Sequence, residues 1–322
     1  MDFFSHILFG VLTVTVFLRP FDYAWVIFAG LMAGLPDFDV LLLPLYRIRK
    51  SFYFTHRGGS HTLFTAIGIS ALFAGIFWAV TGESFFVAWL VGALFYCLHL
   101  CLDTLTTYRV PWFYPLSKNT YKLDFEVAVN PVLMFASLGV NLFLVYYQMT
   151  PGVFQTVVTG IAICYYVYLA HRVALKLIVE RKVPPGTHYS PGILPLVYFL
   201  FTRSSTETGT EYRLTENYSG FRKPKELLAS NLAANSPDVQ WVELAKGALP
   251  SGRWIRSSDN FIPRVENRGD RVLVKLVYAQ TFMASRAICF TVEFDQETQQ
   301  VVEVHQQFDR IKLLQQEYSQ SS

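Results

Sequence analysis

Seven side chains in the apolar first half of the chain are of the types that hold metal ions: His6, Asp37, Asp39, His56, His61, His99 and Asp103. Imidazole nitrogen and carboxylate oxygen both ligate zinc and related divalent ions. Either group inside an apolar membrane segment is costly, so each needs a reason. His99 and Asp103 are four residues apart, which puts them on one helix face and suits a shared ion. A buried His–Asp hydrogen bond that stiffens packing is the plainer alternative for that pair.

Asp37 and Asp39 follow Pro36, which breaks a helix and frees backbone groups. Two carboxylates so close suggest that one bridges two cations while the other orients a ligand or water. Solvated aspartates at a turn are the alternative. In His56-Arg57-Gly58-Gly59-Ser60-His61 the glycines allow close backbone approach or a positive φ, and Ser60 suits a helix N-cap. Free amides at that helix start, with Arg57, could hold a phosphate. A basic turn at the membrane surface would carry the same residues. Arg57 and Asp39 are therefore the candidate catalytic residues, Asp39 doubling as a ligand. Asp2, four residues before His6, could orient its ring.

These residues need elements to position them. The chain has 322 residues, 52% hydrophobic and 16% charged, with a net charge of +3. Soluble domains carry about 25% charge, so the deficit points to an integral membrane protein, and +3 gives no reason to expect a nucleic-acid partner. Apolar runs cover residues 3–18, 23–45, 62–80, 85–107, 131–149 and 153–179. With no basic segment ahead of it, the first run reads as a retained helix. Lys and Arg cluster at Arg47, Arg49, Lys50 and Arg57, at Arg109, Lys118 and Lys122, and at Arg172–Lys182. The loops around Gly82 and Pro151 have none. The positive-inside rule then predicts a multi-pass cell-membrane protein of about six spans, with both termini cytoplasmic. All seven site residues fall at that cytoplasmic end, and the loop 111–130 on the same side could form a lid.

Cys97 and Cys101 lie roughly 200° around the helix from His99 and Asp103, so they read as packing residues. No disulfide framework is legible in the four cysteines.

The predicted architecture is a membrane all-α helical bundle over 1–182, a linker at 183–192, a cytoplasmic α+β domain over 193–315 and a polar tail at 316–322. Within the second domain, Leu194–Thr202 pairs with Glu211–Tyr218 as a hairpin, and Lys225–Asn235 reads as an amphipathic helix. Residues 261–306 alternate as a four-strand antiparallel meander with turns at 267–270 and 295–298.

Taken together, His6, Pro36-Asp37-Phe38-Asp39, the 56–61 loop, His99-Leu100-Cys101-Leu102-Asp103 and Pro115-Leu116-Ser117 resemble the YdjM-type family of membrane-bound metal-dependent hydrolases, over roughly residues 1–180. That family is in turn similar to zinc-dependent phospholipase C enzymes, whose His-x-x-x-Asp helix motif His99 and Asp103 match. Their later His-x-x-x-Glu motif is absent, since Leu175 follows His171 by four residues. The resemblance implies one or two Zn²⁺ ions and hydrolysis of a phosphate ester or phospholipid, with membrane lipid as the neighbouring partner. The competing expectation is a membrane scaffold with a structural metal, whose C-terminal domain binds another protein. An open coordination position favours catalysis, and a closed tetrahedral site favours structure.

Overall fold

The computed structural model describes residues 1–17, 22–49, 51–147, 150–220, 223–249, 260–279, 286–310 and 314. The chain divides into two compact units, Met1–Ala174 and Leu175–Ser322.

The first unit is helical: α1 (Phe3–Phe17), α2 (Tyr23–Gly34), α3 (Leu43–Ile48), α4 (Leu63–Thr81), α5 (Phe85–Thr104), α6 (Pro131–Tyr146) and α7 (Pro151–Glu180), the last running on into the second unit. Each boundary has a local cause. Asp22 caps α2 by accepting from the Ala24 amide, and Asn130 caps α6 by accepting from Val132 and Leu133. Gly82 ends α4 in the left-handed region at φ 76°. Pro36, which lacks an N–H, stands where α2 gives way to a 3₁₀ stretch over Leu35–Leu42. Eight residues is long for a 3₁₀ helix, whose poorer hydrogen bonds usually limit it to one turn.

Among the described residues, four stretches are long and apolar enough to cross a membrane: Tyr23–Tyr46, Leu63–Thr81, Phe85–Thr104 and Pro151–Glu180. The expectation of six spans is corrected here. Helices α1 and α6 have 15 and 16 residues; at 1.5 Å per residue they reach about 22–24 Å, short of the ~30 Å hydrocarbon core. Helix α1 instead buries one face against α2. A Cβ on Gly10 would stand 2.7 Å from Ala33 Cβ, and one on Gly34 would stand 2.7 Å from Ile7. This small-residue seam lets the two backbones approach closely.

The second unit holds two four-stranded antiparallel sheets. One is β1 (Thr187–Pro191), β2 (Val197–Thr206), β3 (Gly209–Tyr218) and β4 (Lys225–Ala233), in that order. The other is β5 (Phe261–Arg268), β6 (Arg271–Tyr278), β7 (Arg286–Asp295) and β8 (Val301–Arg310), also in sequence order. The predicted hairpin is β2–β3 and the predicted meander is β5–β8. Of residues 225–235, expected as a helix, Lys225–Ala233 form β4 and the last two lie in a turn. Pairing with β3 (Arg213↔Ala229, Tyr212↔Ser230) and burial of Leu227 and Leu228 override their helical propensity. A helix in this unit, α8 (Asp238–Ala248), buries Trp241, Val242 and Ala245 at helical spacing. The Thr187–Pro191 segment, inside the expected linker, pairs with β2.

Candidate metal centre

The 3₁₀ stretch carries Asp37 and Asp39, a tight loop carries His56, Arg57 and His61, α1 carries His6, and the last two turns of α5 carry His99 and Asp103. The side chains of His6, His61, His99 and Asp103 have no exposure, and Asp37 retains 9%.

Hydrogen bonds fix which imidazole nitrogens face inward. His99 Nδ1 lies 2.7 Å from the Ala33 carbonyl, which can only accept, so Nδ1 carries the proton. Ser60 Oγ donates to Asp39 Oδ2, so it accepts from His61 Nδ1 at 2.8 Å. Both rings therefore turn Nε2 inward, and those two atoms are 3.1 Å apart. Two lone pairs at that distance repel, so a cation, either proton or metal, must stand among them.

Two carboxylates complete the cradle. Asp103 Oδ2 is 3.2 Å from His61 Nε2 and 3.6 Å from His99 Nε2, while Asp37 Oδ1 is 3.7 Å from each. A tetrahedron with metal–ligand bonds of ~2.0–2.1 Å has edges of about 3.3–3.4 Å, so the five measured edges bracket the ideal. One ligand atom from each of Asp37, His61, His99 and Asp103 lies within 4.8 Å of the others, and this group could hold a metal ion. Asp37 Oδ1 and Asp103 Oδ2 are buried and accept no hydrogen bond among the described residues. Asp103 Oδ2 has an ion pair with Arg57 Nε at 3.3 Å but no hydrogen-bond geometry, and a buried carboxylate oxygen without a hydrogen bond is expensive. The residues thus fit a divalent cation.

Charge also calls for a cation here, proton or metal. Burial alone would lower the His61 pKa, but Asp103, Asp37 and Asp39 overcome it and push it up to about 10. Burial likewise opposes the Arg57 charge, and Asp103 and Asp37 hold its pKa above the ordinary value. Three carboxylates face one guanidinium, Nε of which is 3.3 Å from Asp103 Oδ2. The Met1 amino nitrogen also contacts Asp103.

The other predicted residues surround this group. His6 stacks on His99 with centroids 3.6 Å apart, and its Nε2 is 3.2 Å from Asp103 Oδ1 and 4.0 Å from Asp37 Oδ2. Asp2 does not orient it; Asp2 accepts from the Ser5 amide and hydroxyl, opening α1. Asp39 spends both oxygens on the 56–61 loop, accepting from His56 Nδ1 at 2.5 Å, the Arg57 amide at 2.8 Å and Ser60 Oγ. His56 sits at the rim, with 39% of its side chain exposed.

The loop departs from expectation in two ways. Thr62, rather than Ser60, caps the following helix, accepting from the Thr65 amide. The positive φ falls on Arg57 at 59°, not on a glycine. That conformation is uncommon for a side-chain-bearing residue. It is held by the Arg57 amide donating to Asp39 Oδ2, by Nη2 donating 2.7 Å to the Met1 carbonyl, and by stacking 4.5 Å over the Tyr108 ring. Gly58 serves close approach, since a Cβ there would meet the Phe52 carbonyl at 2.1 Å.

One buried polar group has no counterpart in the sequence reading. Glu126 and Arg172 pair at 3.0 Å with essentially no exposure, and Tyr168 and Asn130 donate to the same carboxylate. Arg172 therefore does not belong among the interfacial charges that end the last span. Bridges Thr106↔Glu126 and Val110↔Tyr121 fold the 105–126 segment on itself, so this pair ties it to α7. Nothing in the local pattern marks Glu126; its partner is 46 residues away. Cys97 is half-buried, Cys101 is exposed, and neither joins the cluster, as their helical phase predicts.

Apolar spans enclosing a buried His/Asp cluster define an integral membrane protein with the makings of a metal site. The chain belongs to the YdjM inner membrane protein family, whose model matches residues 1–174. No curated protein and no solved structure matches the chain.

Proposed function

We propose that the protein is a membrane-embedded metal-dependent hydrolase of a phosphate ester of phospholipid type, with Zn²⁺ as the ion. The observation that carries this reading is the pair of inward Nε2 atoms 3.1 Å apart, flanked by carboxylate oxygens without hydrogen bonds. Asp37, His61, His99 and Asp103 would hold the ion. A second ion would draw on His6 and the outer carboxylate oxygen of Asp37, because the outer oxygen of Asp103 is already taken by the Met1 amino group. Such ions supply Lewis acidity and acidify water at neutral pH. Arg57 offers a guanidinium to an anionic substrate, and Asp39 and His56 hold the loop that presents His61. Asp37 and His56, the members with measurable exposure, mark the side from which substrate enters. The Lys- and Arg-bearing loops at this end support a cytoplasmic orientation for the site and for the termini.

A specific observation favours a second reading. Three of the four close ligands have no exposure, as in a closed structural site. On that reading the ion stabilises the bundle, and the β-sheet domain binds a protein partner. Release of alcohol and phosphomonoester from phospholipid, and of phosphate from soluble phosphomonoesters, measured on purified protein before and after chelation, separates the two. Hydrolysis expects chelator-sensitive turnover that zinc restores. Metal loss that lowers the melting temperature, with no turnover on any ester, selects the structural role.

A further inference from the structure

A groove of about 720 Å³ lies against the end of the Phe85–Thr104 span, outside the metal cluster. Its walls include Cys101, Trp112, Phe113 and Leu123, and Arg109 and Lys122 stand among them. Cys101 is exposed whereas Asp103, two residues on and roughly 200° around the helix, is fully buried. The groove therefore occupies the outward face of the turn whose inward face bears the cluster.

Three observations indicate its occupant. First, the lining is mainly apolar, and the segment that forms it displays Phe113, Leu116, Tyr121 and Leu123 to the surroundings. Exposed aromatic and aliphatic side chains at a span's end belong in the membrane interface. Second, Arg109 is half-buried in this apolar setting and has no carboxylate partner among the described residues, whereas Lys122 is paired 3.0 Å from Asp124. A guanidinium so placed calls for an anion, and its fork matches a phosphate bidentately. Third, the groove is built rather than incidental. Trp112 Nε1 donates 2.7 Å to Thr104 Oγ1, the Trp112 carbonyl accepts from the Leu63 amide at 2.9 Å, and Val110 pairs with Tyr121. The volume falls in the range of small-molecule sites.

We infer that this groove binds an anionic phospholipid of the surrounding leaflet, the phosphate on Arg109 and the proximal acyl chain along Trp112, Phe113 and Leu123. The site is separate from the metal cluster and does not depend on its being catalytic. It would seat the 105–126 segment, which carries Glu126, at the level of the headgroups.

The experiment titrates phosphatidylglycerol or phosphatidylcholine into full-length protein in detergent micelles and counts bound lipid by native mass spectrometry. Phosphatidylglycerol should bind in preference. Arg109→Gln should weaken it roughly tenfold, the size of one charge-assisted contact. Arg109→Lys should recover part of the loss, and Lys118→Gln, at an exposed position outside the groove, should leave binding unchanged. Metal content should be the same in all four proteins, which separates failure here from failure of the hydrolase reading. Equal binding of the two lipids, wild-type binding by Arg109→Gln, or an equal loss in Lys118→Gln would overturn the proposal. So would full competition by soluble glycerol phosphate, which would mark a site for free anions.

Discussion

Asp39→Asn tests whether this carboxylate ligates the ion or positions the loop that does. Asp39 is 1% exposed at its side chain and accepts three hydrogen bonds, from His56 Nδ1, the Arg57 amide and Ser60 Oγ. Asparagine keeps the shape but has one acceptor oxygen and no charge. With that oxygen toward Arg57 and Ser60, its NH₂ faces His56 Nδ1, and the rim imidazole must either turn away or move its proton to Nε2 and accept instead. The two retained bonds fall from roughly 1.5–3 to roughly 0.5–1.5 kcal/mol each. Relief from burying a charge offsets part of this, leaving a net loss of about 1–2 kcal/mol in the order of the loop, a factor of roughly 5–30. Supporting groups around metal ligands change affinity by about 10–100-fold, so the two approaches agree. Competition for zinc against a chromophoric chelator, in detergent-solubilised protein, reads the constant. A roughly tenfold weaker but saturable site is expected. Unchanged affinity would show that the Asp39–Ser60–His61 chain orients nothing, and complete loss of binding would make Asp39 itself a ligand.

Gly58→Ala should prevent the loop from closing, because the added methyl meets backbone oxygen at 2.1 Å. Loss of zinc binding with helical circular dichroism retained is the expected result. Arg172→Met should lower stability by about 3–5 kcal/mol, since it strands Glu126 as a buried charge. Adding Glu126→Gln should recover most of that, as read by thermal unfolding in detergent; additive losses would contradict the pairing. Zinc at about 1,000 times its dissociation constant should stabilise the protein by about 4 kcal/mol relative to chelated protein. No shift on chelation would mean that no folded-state site exists.

What could be read from the sequence depended on range. Proline after a run of apolar residues marks the break near Asp37, and the i,i+4 spacing of His99 and Asp103 fixes their common face. Alternation in 261–306 marks the meander for the same reason, because side-chain period is a local property. Hydrophobicity alone does not decide whether a 15-residue helix crosses a bilayer, so α1 and α6 read as spans in the sequence. Residues 225–235 have helical propensity, and antiparallel pairing with the preceding strand β3, which ends at Tyr218, overrides it over Lys225–Ala233. The Glu126–Arg172 pair depends on where distant segments meet. For the cluster, residue types gave the members but not their roles. Only the bonds to Ala33 and Ser60 show which nitrogens of His99 and His61 turn inward.

The central claim is that Asp37, His61, His99 and Asp103 share one divalent cation. Elemental analysis of purified wild-type protein beside Asp37→Ala and His99→Ala tests it directly. Near-stoichiometric metal in the wild type is predicted, with strong loss in both variants while they remain inserted and monodisperse. Full metal occupancy in both variants, or none in a wild type purified and assayed in the presence of zinc, would contradict it; in the latter case the cation between the imidazoles would be a proton.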